Sequence, residues 1–337
     1  MRLSDAMASL RQRNVPRVRP STTESEALPK RLADIRDFSS LRRWIQYWML
    51  DPLAGATEFS VYYLFRIVPI DLCSAAGAMR GRYQGKARRA AQGRAYSALT
   101  LAAPGISEEQ ASQIVARLHR NSGRALLETL IMDRIWDDDR IDIHPCNRLQ
   151  NPREPQISRI FVSVHIGNLG DLLGYCLMQL TKTRGMTISR LSPNRFRQRL
   201  SEKLRAKHGA TVLAPGLKAA RQLVQHLREP GNCVLIHLDE ARGRQIYFPT
   251  FGRPLPYGSN LSLAIRLSAY TGALLVPVYM TRMQGARFKL NILDPIAPPP
   301  ADDQGAQLAI ARRLDGVFGK LVREHLDDWQ QLFFLRA

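Results

Sequence analysis

The 337-residue chain is 45% hydrophobic and carries a formal net charge of +20. It can bury a sizeable core and suits one large α/β domain with extensions; no uncharged run of transmembrane length is present, which excludes a clean spanning helix. The charge bears on partners rather than fold, and nucleic acid, an anionic membrane surface and an acidic carrier protein all fit it.

Residues 1–35 are polar and arginine-rich and are expected to form a flexible basic tail, without the apolar core of a cleavable signal peptide. Residues 36–105 read as an amphipathic, membrane-associating helical region. Within it, Leu41 to Met49 mixes Arg42 and Arg43 with Trp44, Tyr47 and Trp48, as a helix lying in a headgroup layer would, or as a helix packed on the domain's own core. Phe59 to Met79 is apolar but interrupted by Arg66, Pro69 and Asp71, and reads as a buried or monotopic segment. The third part, residues 106–337, opens with Ser107-Glu108-Glu109-Gln110, which has the form of a capping box starting a helix through Leu118 to Leu130.

The second half alternates. Strands are expected at Ile160–Val164, Cys233–Leu238, Ala273–Tyr279 and Phe288–Leu293, with helical stretches at Leu172–Leu180, Leu217–Leu227 and Leu261–Ala269. This pattern predicts an α/β fold with a central, largely parallel mixed sheet flanked by helices, and chemistry beyond the carboxyl ends of the strands. His165 falls there, directly after the first strand, in His165-Ile166-Gly167-Asn168-Leu169-Gly170-Asp171. A histidine in such a turn can take a proton from a hydroxyl if a carboxylate fixes its tautomer. Gly167 and Gly170 would let a substrate approach the backbone. Cys73, Cys146, Cys176 and Cys233 show no CxxC spacing, and no His/Cys/Asp/Glu set has metal-ligand spacing, so reduced thiols and no metal are expected.

His165-Ile166-Gly167-Asn168-Leu169-Gly170 resembles the His-Phe-Gly-Asn-Trp-Glu segment of the bacterial lipid A lauroyl/myristoyl acyltransferases. Arg190, Asn194, Arg205 and Gly209 fall at the family's offsets, with Leu191 in place of its proline. Leu238-Asp239-Glu240, Phe248-Pro249-Thr250-Phe251-Gly252 and Thr271-Gly272-Ala273-Leu274-Leu275-Val276-Pro277 are similar to its later motifs, and the likeness spans roughly residues 60 to 335. The resemblance implies a lysophospholipid-acyltransferase-like fold. It also implies transfer of a fatty acyl chain to a lipid or glycolipid hydroxyl, with acyl-ACP or acyl-CoA as co-substrate and no other cofactor. The acyl carrier protein and an anionic membrane lipid are then the expected partners, at the cytoplasmic face of the bacterial inner membrane, and nucleic acid is disfavoured.

One departure matters. The family's catalytic carboxylate position holds Gly170, and the acid arrives one residue later as Asp171. Three readings stay open: an extra residue in the turn brings Asp171 to His165; Asp239 or Glu240 substitutes; or the chain is a catalytically impaired lipid-binding relative. His165 with Asp171 is the expected catalytic pair, with Asn168, Gly167, Arg190, Asn194, Asp239 and Glu240 as substrate-binding candidates. For Arg190 the plainer reading is a solvated basic helix, and for Asn168 a helix cap. His144, His208 and His237 read as structural.

Overall fold

A computed structural model of the chain describes residues 35, 37–87, 89–144, 157–190, 192–206, 209–243 and 245–336. The expected tail up to residue 34, Cys146, Leu191 and His208 lie outside these residues. Two compact units are present, residues 1–50 and residues 51–337.

In the first unit, helix α1 (Phe38–Ile45) starts at Asp37. The Asp37 carboxylate accepts the Ser40 N–H at 2.6 Å and Ser40 Oγ accepts the Asp37 N–H at 3.0 Å. This reciprocal cap satisfies backbone donors that have no helical partner. A π-helical turn, Gln46–Leu50, follows, with Trp48, Met49 and Leu50 exposed.

The second unit holds a seven-stranded sheet with order β1-β9-β8-β2-β5-β3-β4. Its strands are β1 (Ile141–His144), β2 (Arg159–Ser163), β3 (Gly185–Ile188), β4 (Ala210–Leu213), β5 (Cys233–His237), β8 (Leu274–Arg282) and β9 (Phe288–Ile292). All neighbouring pairs are parallel except β8 with β9. The expected α/β fold with a largely parallel mixed sheet is therefore the observed one. A short antiparallel ribbon, β6 (Ala241–Arg242) and β7 (Gln245–Ile246), lies beyond β5. Side chains alternate across the pleat and feed two cores: Ile160, Val162, Val234 and Ile236 face one, and Phe161, Cys233 and Leu235 face the other.

Helices α2 (Asp51–Leu64), α3 (Ile70–Ala87), α4 (Arg89–Ala102), α5 (Glu108–Glu128) and α6 (Met132–Asp137) precede the sheet. Ser107 and Gln110 form the expected capping box of α5. The apolar Phe59–Met79 run is split between α2 and α3 at a turn, where Arg66 donates to both carboxylate oxygens of Asp133 at 2.7 and 2.8 Å. Helices α3 and α5 touch backbone to backbone. A Cβ on Gly81 would lie 2.0 Å from the His119 carbonyl oxygen, and one on Gly123 would lie 2.1 Å from that of Gly77. No helix among the described residues is long and apolar enough to cross a membrane.

The remaining helices are α7 (Asp171–Thr181), α8 (Arg195–Ala206), α9 (Leu217–Arg228), α10 (Asn260–Thr271) and α11 (Gln304–Glu324). The α7, α9 and α10 spans agree with the expected helical stretches; α8 follows the run read as a basic helix.

Candidate active site

The sheet register assembles the site. Ser163 of β2 pairs with His237 of β5 in the parallel ladder. Residues just past the two strands, His165 and Asp239, therefore emerge side by side at the carboxyl end, where an α/β sheet opens its ligand crevice. His165 Nδ1 lies 2.7 Å from Asp239 Oδ1, and the His165 backbone N–H donates to Asp239 Oδ2 at 2.9 Å. The carboxylate is fully buried. It takes a third hydrogen bond, at 2.9 Å, from the indole N–H of Trp329 in the C-terminal segment. That segment is stitched beside the turn by Gln330 N–H donating to the His165 carbonyl at 2.9 Å.

Three donors converge on one carboxylate and fix the arrangement. Burial opposes charge on Asp239, but the adjacent His165 and these hydrogen bonds hold its pKa below the usual carboxylate range. Burial likewise opposes a charged His165, yet the facing carboxylate prevails and lifts the imidazole above its ordinary value. With Nδ1–H committed to Asp239, the free lone pair sits on Nε2, which has no partner among the described residues. His165 lines a cleft of about 480 Å³, so this nitrogen is available to an incoming proton.

His237 stacks on His165, ring centroids 4.1 Å apart and planes at 24°. Burial first, and the neighbouring His165 second, push its pKa down to about 3, so it stays neutral. Read from sequence as structural, it lies directly against the His165 ring and lines the cleft. Its ring fills the space opposite Gly170: a Cβ there would lie 2.6 Å from His237 Cε1 and 2.7 Å from Nε2, and the backbone has φ +94. The glycine at the departed family position is thus matched by a ring that leaves no room for a side chain.

The expected pairing of His165 with Asp171 is corrected. Asp171 begins α7 and accepts from Arg205 of α8, Nε at 2.9 Å and an ion-pair contact from the same guanidinium at 2.8 Å. Gly170 is the residue before the helix and Asp171 its first, and Asp171 acts on the imidazole through its charge rather than through the hydrogen bond that Asp239 makes. Asp239, the second of the three readings, holds the position instead.

Other candidates divide. Glu240 lines the cleft, accepts the Asn260 N–H at 2.7 Å and pairs with Arg242 at 2.9 Å. Burial raises its pKa to about 7 in spite of Arg242. Arg190 also lines the cleft and donates to the Ala241 carbonyl at 3.0 Å. Three further candidates make contacts within the fold. Asn168 is buried and its Oδ1 caps α7 by accepting Leu172 N–H at 3.1 Å. Asn194 Oδ1 caps α8 by accepting from Phe196 and Arg197. Gly167, φ +75, packs against the Met280 carbonyl, 2.4 Å from where its Cβ would lie.

Arg282 explains why the turn holds its shape. At the end of β8, with its side chain 8% exposed, it donates to the Gly167 carbonyl at 3.0 Å and pairs with both oxygens of fully buried Glu128 at 2.8 and 2.6 Å. The cleft is lined by His165, by Arg190, Arg205 and Arg242, by the acids Asp171 and Glu240, and by apolar side chains that include Tyr175, Met178, Met186 and Leu235. Charged and apolar lining together suit an amphiphile.

Residues 36–335 match the model of the bacterial lipid A biosynthesis acyltransferases, and the chain belongs to that family. The match starts earlier than the likeness legible from motifs, which began near residue 60. No protein of curated function matches the chain. Among solved structures it is similar to the 1-acyl-sn-glycerophosphate (LPA) acyltransferase PlsC from Thermotoga maritima, at 11% identity and a TM-score of 0.37, covering 81% of this chain and 98% of that one.

Proposed function

We propose that this acyltransferase-family chain moves a fatty acyl group from a thioester, acyl-ACP or acyl-CoA, to a hydroxyl of a lipid or glycolipid. The observation that carries the reading is the 2.7 Å contact between His165 Nδ1 and buried Asp239 beside a cleft partly lined by apolar side chains. His165 Nε2 takes the acceptor hydroxyl proton as its oxygen attacks the thioester carbonyl. Asp239 fixes the tautomer and stabilises the imidazolium. Collapse of the tetrahedral intermediate expels the thiolate, which takes the proton back from His165. Arg190 and Arg242 supply cationic donors for anionic groups of donor or acceptor. No metal and no further cofactor enter this scheme.

The reaction is assigned to an anionic membrane surface, the cytoplasmic face of the inner membrane in a bacterial cell. Support comes from the +20 charge and from exposed Leu64, Ile67, Leu72, Met79 and Tyr83 on and between α2 and α3. An acidic carrier protein is steered to so basic a chain. The impaired lipid-binding relative draws on Gly170 alone, and the Asp239 contact supplies the carboxylate that reading lacks.

The test gives the purified chain labelled acyl-ACP and acyl-CoA with candidate lipids. Label should pass to lipid, and His165→Ala should lower turnover by about 10²- to 10⁴-fold, the usual worth of a general base. Turnover untouched by His165→Ala would defeat the mechanism; lipid binding without turnover would favour the impaired relative.

A further inference from the structure

Away from the catalytic cleft, a second, open cleft of about 410 Å³ is lined by Asp71, Ala75, Arg124, Arg140, Gly285 and Arg287, among others. Three arginines against one aspartate leave a formal charge of +2. Asp71 is already committed: Arg140 grips both its oxygens at 2.9 and 3.0 Å, and the Ala286 N–H donates to it at 3.3 Å. Arg124 donates to Ser74 Oγ at 2.7 Å. Burial and the nearby Arg282 lower its pKa, so cationic charge is crowded there. Arg287 is exposed, and its charge adds to that of Arg140 in holding the Asp71 pKa down.

The surroundings name the ligand chemistry. Leu72, Met79 and Tyr83 recur along α3 at seven- and four-residue spacing, which puts them in one stripe on the helix. All three are exposed, and exposed Arg80 and Arg82 flank the stripe. Asp71 and Ala75, on the same helix, border the cleft. A cationic recess beside an apolar stripe with cationic margins matches a phosphate group next to acyl chains. Planar guanidinium forks bind phosphate through paired hydrogen bonds.

The geometry points to a phosphate-oxyanion site in this cleft, held by Arg124 and Arg287 with Arg140 beside them, separate from the acyl-transfer site and independent of whether turnover occurs. It is also wired to that site. Arg124 bonds Ser74, Ser74 donates to Glu128 at 2.6 Å, Glu128 pairs with Arg282, and Arg282 holds the Gly167 carbonyl in the His165 turn.

The full chain is floated with phosphatidylcholine vesicles, with and without a minority of phosphatidic acid, and inorganic phosphate is titrated separately by calorimetry. Arg287→Gln, Arg124→Gln and, as a charge-matched control, exposed Arg313→Gln on α11 are compared. Arg287 is exposed on the surface and acts on Asp71 through its charge, so its variant keeps the test decisive if Arg124→Gln folds poorly. Arg287→Gln should weaken binding to the phosphatidic acid vesicles about fivefold, the worth of roughly one basic residue at a membrane surface. The control should change it less than about twofold. That result places a lipid headgroup in the site. Calorimetric binding of inorganic phosphate, lost in Arg287→Gln while vesicle binding is unchanged, assigns the site to free phosphate. Equal weakening by Arg287→Gln and Arg313→Gln, with no phosphate binding, overturns the site and leaves only diffuse charge.

Discussion

Asp239→Asn isolates the electrostatic part of the mechanism while keeping the side chain's shape. In the native site one carboxylate accepts three hydrogen bonds, from His165 Nδ1, the His165 backbone N–H and Trp329 Nε1. An amide has one oxygen, so its NH2 must face at least one of those donors. Facing a buried donor with another donor costs about 1–3 kcal/mol for each mispaired group, and the lost charge removes the stabilisation of the imidazolium. The expected loss in kcat/KM is about 10²- to 10⁴-fold, with a fall in Tm. Asp171→Asn breaks the partly exposed contact with Arg205 and removes a secondary charge that helps lift the His165 pKa, so it should cost less than Asp239→Asn. The assay is acyl transfer from labelled thioester by both variants, with Tm by differential scanning calorimetry. A silent Asp239→Asn beside a dead Asp171→Asn would refute the reasoning.

The pH profile follows from the same pair. General-base catalysis needs neutral His165, whose pKa is lifted, so log kcat/KM should fall as pH drops through a value above the ordinary 6.5. His237, held near 3, stays neutral throughout, so the acid limb should have unit slope, and a slope of two contradicts the assignment. Gly170→Glu restores the family's acid in sequence only. The His237 ring occupies its space and φ is +94, so Tm should fall with no gain in turnover, and any gain measured in the thioester assay defeats that account. Gly81→Val wedges α3 from α5, whose His119 carbonyl sits 2.0 Å from the new Cβ. Thermal unfolding should register a loss of about 3 kcal/mol, and an unchanged Tm would mean the helices do not touch as described.

Much of the fold was legible because long, strongly patterned stretches carry it. The apolar β2, β5 and β8 runs, the Ser107 capping box and the α9 periodicity all lie where the pattern put them. Strands β1, β3 and β4 escaped because each has four residues, too few for alternation to stand out, and Gly185 opens one of them. The site was half legible. His165 follows from its place after a strand, but choosing its carboxylate by proximity in sequence misled: Asp171 is six residues away and points to Arg205, whereas Asp239 arrives by parallel pairing of β2 with β5. Trp329 and Arg282 gave no local signal, since their roles exist only once the chain's end and β8 are brought to the turn. His237 had one available clue, its position at the carboxyl end of a strand, the same clue that singled out His165.

The central claim is that His165 and Asp239 together transfer an acyl chain to a lipid. Mass spectrometry of total lipids from cells expressing the native chain, His165→Ala or Asp239→Asn tests it most directly. The native chain should produce a lipid heavier by one fatty acyl group, absent with His165→Ala and strongly reduced with Asp239→Asn at equal protein levels. The same acylated lipid in all three, or in none, would contradict the account.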